Sequence, residues 1–294
     1  MFALVIVITI GIIKIVQKRK KGAVCMKKIG FIAEKGGAGK TTQTYNFGAY
    51  LAKQGKKVLL IDLDHQLSLS REVFGIREDD YSSHNLFHDQ PVKVYQVKEN
   101  MDLIPASLLL EGLEKEMALS DIPMPALVLN YWFDDHGSEI NIDQYDYILF
   151  DTHPDFGIIN RNVVVAADAV ISPLEPNIFG WAAKARIQAR VDALLGQLIN
   201  PSTRQPFIDT PLYFINNKVE HNTRESQDLI EQTKDDEQVI ATIPNKQLFK
   251  ATIRQNKPIV TMQEDAKIYN ANRQFFQKLD SAYANMKQKV DELK

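Results

Sequence analysis

The chain has 294 residues, 45% of them hydrophobic and 24% charged, a soluble profile with ample apolar material for a large core. A net charge of -2 excludes a global pull toward nucleic acid, so any DNA contact would need a local basic patch. The single cysteine, Cys25, excludes an intramolecular disulfide and a multi-cysteine metal site, and fits a reducing cytosol.

Residues 1–25 form a leader. Phe2 to Ile13 is apolar, and Lys14, Lys18, Arg19, Lys20 and Lys21 follow. A spanning helix needs roughly 20 apolar residues, so the run is short, and cations after it disfavour export. Two readings stand: a short anchor, or an upstream stretch outside the native product. In the second, "KKGAVCM" can be encoded by a purine-rich stretch resembling a bacterial ribosome-binding site, and translation starts at Met26.

From Met26 to residue 294 the pattern is that of a single α/β domain. "KIGFIAE" (28–34) is an apolar run ending in a glycine loop, and "TTQTYNFGAYLAKQG" follows at helical spacing with a stop at Gly55. "KKVLLIDLD", "YDYILFDTHP" (145–154), "ADAVISPLEP" (167–176) and "PLYFINNK" (211–218) repeat the form of an apolar strand ending in polar residues. Strands alternating with helices predict a mostly parallel twisted sheet covered on both faces, with ligand at the carboxyl ends of the strands. The stretch 76–144 is least regular, and "REDDYSSHNLFHDQ" reads as loop.

Gly36, Gly37, Ala38, Gly39, Lys40, Thr41 and Thr42 stand between the first strand and the first helix. Glycines let successive backbone N–H groups turn toward phosphates, and the helix N-terminus adds its dipole. Lys40 would neutralise the β and γ charge and Thr41 would ligate Mg²⁺. Counting back from Gly39, the ordinary phosphate-loop pattern would need glycine at Glu34, so it is not met. The form present is KGGxGK[ST], in which Lys35 belongs to the motif.

With these residues the sequence resembles the ParA and MinD group of deviant Walker P-loop ATPases, from about Lys27 to Ala284. "VLLIDLDHQ" is similar to the family's second motif and "YDYILFDTHP" to its third. The resemblance implies ATP and Mg²⁺ as cofactors, with Asp151 supporting the Mg²⁺ shell, Asp62 assisting it and Asp64 orienting the attacking water. It also implies an ATP-dependent homodimer in which Lys35 reaches the partner's phosphates. Asn216 or Asn217, with Pro244 in the flanking segment, resembles the adenine-reading position, and either asparagine could equally cap a turn.

"NMDLIPASLLLEGLEKE", "VAADAVISPLEPNIFGWAAKA" and "IPNKQLFKATIRQNKPI" look like partition ATPases rather than MinD. That branch implies nonspecific DNA binding by the ATP-bound dimer, a centromere-binding ParB-like partner that stimulates hydrolysis, and a cytoplasmic, nucleoid-associated protein. Lys246, Lys250, Arg254 and Lys257 recur at spacings of four, four and three, and on a helix they would form one basic stripe. Arg186, Arg190 and Arg224 are secondary candidates. His65, His153 and "QLSLS" after Gln66 depart from the family pattern.

Two rivals remain. A MinD-like membrane-associated division-site regulator needs a terminal helix that docks on lipid. The tail shows Phe275, Phe276, Leu279, Tyr283, Met286 and Val290 near helical spacing with mixed charges, which favours packing on the domain or a partner helix. A membrane-anchored bacterial tyrosine kinase would carry arginine where Gln66 stands, and a tyrosine cluster at its tail.

Overall fold

The five strands legible in the sequence lie side by side at the centre of one sheet. A computed structural model describes residues 26–122, 124–177, 180–199, 204 and 206–293; the leader of residues 1–25 lies outside the described residues. The strands are β1 (Lys27–Phe31), β2 (Val58–Leu63), β3 (Tyr95–Lys98), β4 (Met101–Ile104), β5 (Tyr147–Thr152), β6 (Ala169–Leu174), β7 (Leu212–Val219) and β8 (Val239–Pro244). They form an eight-stranded sheet in the order β3-β4-β2-β5-β1-β6-β7-β8. Every pairing is parallel except β3 with β4.

The apolar runs are unbroken because both faces are covered. Leu59, Ile61 and Leu63 of β2, with Ile148 and Phe150 of β5, enter one core. Val58 and Leu60, with Tyr147 and Leu149, enter the other. Helices α1 (Lys40–Lys53), α7 (Leu248–Gln255), α8 (Ile259–Met262) and α10 (Arg273–Asp291) contribute to the second core. Helices α2 (Leu113–Leu119), α3 (Val128–His136), α4 (Ile158–Ala166), α5 (Gly180–Gln197) and α6 (Arg224–Thr233) contribute to the first. A further short helix, α9 (Ala266–Ala271), precedes α10.

The irregular stretch 76–144 holds the hairpin of β3 and β4 and the helices α2 and α3 rather than loop alone. "SHNLF", within the stretch read as loop, is a 3-10 helix, Ser83–Phe87, whose Leu86 and Phe87 are buried. The edge strand β8 also escapes the sequence pattern, since four of its six residues keep some exposure.

The expected basic stripe is not one helical stripe. Helix α7 covers only Leu248–Gln255, because Asn256 takes a left-handed conformation (φ 46°) and Pro258 follows. Lys250 and Arg254 share its exposed side, whereas Lys246 precedes the helix and Lys257 follows it. Leu248, Phe249 and Ile253 pack on the core, as the spacing predicts.

The tail helix α10 buries Phe275, Phe276, Leu279, Ala282, Tyr283, Met286 and Val290 against the domain. The apolar face that lipid docking would require is therefore already used. Among the described residues no helix is long and apolar enough to cross a membrane.

Candidate nucleotide site

Strands β5 and β2 lie on one side of β1 and β6 and β7 on the other, so the loops after β1, β2, β5 and β7 gather near the centre of the carboxyl edge. The phosphate loop follows β1. Gly37 has φ 82° and Gly39 φ 98°, conformations that favour glycine and turn the intervening amides inward. A Cβ on Gly39 would stand 2.4 Å from Asn217 Nδ2, so close packing adds a second reason for glycine there.

Lys40 opens α1 and is buried at 6% exposure, Ala38 is buried too, and Lys35, Gly36 and Gly37 are exposed. Burial lowers the Lys40 pKa, and the carboxylates of Asp151, Asp64 and Asp155 oppose that shift. Thr41 and Thr42 follow on the first turn, half-buried.

Asp62 and Asp151 are register partners on adjacent strands, and both are fully buried. Their surroundings differ. Asp62 Oδ1 accepts from the Asp64 amide at 3.1 Å, and Oδ2 accepts from the Ser70 amide at 2.8 Å and the Ser70 hydroxyl at 2.6 Å. Burial pushes its carboxyl up to about 6 even against those donors. The stretch "QLSLS" that departs from the family pattern runs into a turn of π-helix, Ser68–Val73, which supplies Ser70. Asp62 thus shapes the loop that carries Asp64.

Asp151 has no hydrogen-bond partner of good geometry on either oxygen. Burial raises its pKa well above the carboxylate range, the charge of Asp62 adds to this, and Lys40 and the Thr41 hydroxyl oppose it. An orphaned buried carboxylate beside a lysine and a threonine is costly unless a cation joins it. Thr41 and Asp151 fit a hard divalent ion carrying phosphate oxygens.

Asp64 lies 7% exposed, and its Oδ1 is 2.8 Å from His153 Nδ1 and 2.9 Å from the Gln66 amide. The rings of His65 and His153 lie 4.2 Å apart. The two histidines that depart from the family pattern therefore meet across the site.

Asn217 faces the phosphate loop: its Nδ2 donates to the Ala38 carbonyl at 2.7 Å, and its Oδ1 accepts from Gln43 Nε2 at 3.0 Å. Asn216 points to the opposite side of β7, donating to Thr233 Oγ1 at 2.7 Å, as strand alternation requires. Pro244 ends β8 on that outer side, where both line a groove with Lys246. Lys218, which motif reasoning passed over, donates to the Gly37 carbonyl and to Glu175 Oε1 at 2.6 Å. Its signal was only its place after Asn217. On the other flank, Glu34 accepts from Arg186 at 2.9 Å and pairs with Arg190 at 3.1 Å. Those two arginines are thus engaged beside the loop.

The model of the AAA domain family matches residues 26–203. An uncharacterised protein of Methanocaldococcus jannaschii, MJECL24, is 30% identical over 251 residues, 80% of this chain and 90% of its own length. The sporulation initiation inhibitor protein Soj of Bacillus subtilis is 33% identical over 155 residues, 51% of this chain and 58% of Soj. The virulence plasmid ParA family protein pGP5-D of Chlamydia psittaci is 35% identical over 162 residues, 52% of this chain and 59% of that protein. The chain belongs to the ParA-type ATPases of the AAA domain family. It spans somewhat over half the length of the Soj and pGP5-D relatives.

Two solved structures share this ParA-type fold. A plasmid partition protein of Borrelia burgdorferi bound to AMPPNP gives a TM-score of 0.68 at 21% identity, covering 87% of this chain and 98% of that one. McdA of Cyanothece gives 0.71 at 21% identity, covering 88% and 98%.

Proposed function

We propose that this chain is an ATP-driven DNA partition switch that binds ATP with Mg²⁺, dimerises across the nucleotides, and holds nonspecific DNA until hydrolysis releases it. The observation that carries this reading is the buried, unpartnered Asp151 carboxylate facing Lys40 and Thr41 beneath a loop that presents Lys35 at its exposed lip. The AMPPNP in the Borrelia relative supports a nucleoside triphosphate as ligand.

The backbone amides of Gly36 to Thr42 bind the phosphates, and Lys40 offsets their charge. Thr41 and Asp151 would hold Mg²⁺, which would supply positive charge to offset that of the phosphates. Asp64, fixed by His153 and the Gln66 amide, orients a water toward the γ-phosphorus. Asn217 braces the loop beside the base, and Lys35 acts on the partner's phosphates.

Release is assigned to a centromere-binding ParB-like partner, and DNA contact to Lys250 and Arg254 with Lys246 and Lys257 alongside. The buried apolar face of α10 argues against the lipid-docking division regulator. The deciding experiment measures ATPase rate with and without nonspecific DNA and with anionic vesicles. Stimulation by DNA, lost in Asp64→Ala, is expected. Stimulation by lipid and indifference to DNA would overturn the proposal.

A further inference from the structure

A second group of side chains converges far from the phosphate loop in the fold's element order. His84 lies in the 3-10 helix Ser83–Phe87 and His88 caps it, four residues on. Their rings stack with centroids 4.1 Å apart and planes at 26°. Both present Nε2 to a single oxygen, Oε2 of Glu116 on α2, at 3.6 Å from His84 and 3.2 Å from His88. The three ligand atoms lie within 4.8 Å of one another.

These separations are long for a charged hydrogen bond, which draws N and O to about 2.7–2.9 Å. They match the spacing between ligands on a tetrahedral ion, where bonds of about 2.0–2.1 Å put neighbouring ligand atoms about 3.3 Å apart. The group formed by Asp64, His65 and His153 contrasts with this, because His153 Nδ1 and Asp64 Oδ1 sit at a hydrogen-bond distance of 2.8 Å.

The tautomer also fits. His88 Nδ1 lies 3.1 Å from the His84 carbonyl oxygen, which can only accept, so Nδ1 carries the hydrogen and Nε2 is the ligating atom. An adjoining cavity of about 640 Å³, lined by Met117, Ile122 and Trp132 together with Asp89, Ser120 and Asp135, has room for a fourth ligand.

We propose that His84, His88 and Glu116 form a site for one Zn²⁺-class transition-metal ion, bound through two imidazole nitrogens and one carboxylate oxygen with water at the fourth position. Imidazole with carboxylate selects Zn²⁺, Co²⁺, Ni²⁺ or Cu²⁺ over Mg²⁺. Bound there, the ion clamps the 3-10 helix to α2. Both segments lean on the nucleotide loops: Ser83 Oγ donates to the Asp62 carbonyl at 2.6 Å, and Glu114 accepts from the Ile158 amide at the start of α4.

The test uses the full chain without affinity-tag histidines, stripped by chelator and free of nucleotide. It is titrated with Zn²⁺ by calorimetry and with Co²⁺ by visible absorption. One equivalent should bind, Co²⁺ should give the intense visible bands of a four-coordinate ion, and Zn²⁺ should raise the thermal midpoint. His88→Gln and Glu116→Gln should each weaken binding at least about a hundredfold, whereas a His65→Gln, His153→Gln double variant should bind as the parent does. Glu116 is half-exposed, so Glu116→Gln remains informative if the histidine variants lose their circular dichroism. No stoichiometric binding, or equal binding in Glu116→Gln, overturns the site, and so does loss confined to the His65, His153 double variant. Because the readouts are metal affinity and thermal midpoint without ATP, they stand apart from any failure of the partition reading.

Discussion

His153 Nδ1 stands 2.8 Å from Asp64 Oδ1, joining the loop after β5 to the loop after β2 across the nucleotide site. The Gln66 amide reaches the same oxygen, so the orientation of the carboxylate is set from two sides. A hydrogen bond to a charged group contributes about 1.5–3 kcal/mol, and about 1.4 kcal/mol in the barrier is tenfold in rate. His153→Ala should lower single-turnover ATP hydrolysis about tenfold or more while nucleotide affinity stays within about twofold. His153→Asn offers an amide N–H near the position of Nδ1 and should recover much of the rate. Equal loss in both variants would assign His153 another role.

The two register-paired aspartates predict opposite stability effects. Asp151 is buried without a hydrogen bond of good geometry, and burial outweighs the opposing charge of Lys40, so Asp151→Asn removes a carboxyl group penalised by desolvation and should stabilise the nucleotide-free, metal-free chain by about 1–3 kcal/mol. Asp62 accepts from three donors, and Asp62→Asn must turn an NH₂ toward one of them, so it should destabilise by a similar amount. Thermal midpoints at equal pH without ATP or Mg²⁺ give the comparison. Asp151→Asn should also lose the upward shift that Mg²⁺ with ATP gives the parent chain.

The contrast marks the limit of what the sequence makes legible. The central strands could be read because each is an unbroken apolar run buried on two faces, and the loop because KGGxGK[ST] has few other uses. Strands β3 and β4 are four residues each, β3 at the edge and β4 beside it, and their burial shows no clear alternation. Asp62 and Asp151 look alike as strand-end acids, and only the fold reveals that Ser70 occupies one of them. The pairing of His153 with Asp64 spans 89 residues of sequence, so residue spacing carried no trace of it. The basic run failed as a single stripe for a local reason, the left-handed turn at Asn256.

That turn makes the DNA prediction more specific. Lys250 and Arg254 share one turn of α7 and can approach one phosphate track together, so each alanine variant should reduce the salt slope of DNA binding by about one. Lys246 and Lys257 lie on separate flanks of the helix and are expected to contribute independently. Binding of a random duplex at several salt concentrations reads each slope. A slope unchanged in the quadruple alanine variant moves the DNA surface elsewhere.

A buried chain of hydrogen bonds links the tail helix to the phosphate loop. Tyr283 donates to Gln43 at 2.9 Å, Gln43 to Asn217 at 3.0 Å, and Asn217 to the Ala38 carbonyl at 2.7 Å. Tyr283→Phe leaves Gln43 Oε1 without its donor and should cost about 1–3 kcal/mol in stability. Asn217→Ala frees both the loop carbonyl and Gln43, so it should weaken nucleotide binding more than Tyr283→Phe does. In the double variant the losses should be less than additive, because the links share partners. Denaturant midpoints and nucleotide titrations of all three variants check this.

The placement of Lys35 leads to the last prediction. Arg186 and Arg190 hold Glu34 on one side of it, and Lys218 holds the Gly37 carbonyl on the other, so a fixed lip carries an exposed lysine. Lys40, by contrast, is buried at the start of α1, and in the proposed function it offsets the phosphate charge of its own chain. A cation on the rim of its own site acts best on charge arriving from a second subunit. Lys35→Ala should therefore keep ATP affinity within a few-fold of the parent. It should lose the ATP-dependent dimer in light scattering and at least about a hundredfold in hydrolysis rate, as expected where a charge clamp on the transferring phosphoryl group is removed. Lys40→Ala should instead lose ATP binding itself. Dimerisation and hydrolysis at parental levels in Lys35→Ala would confine Lys35 to its own loop.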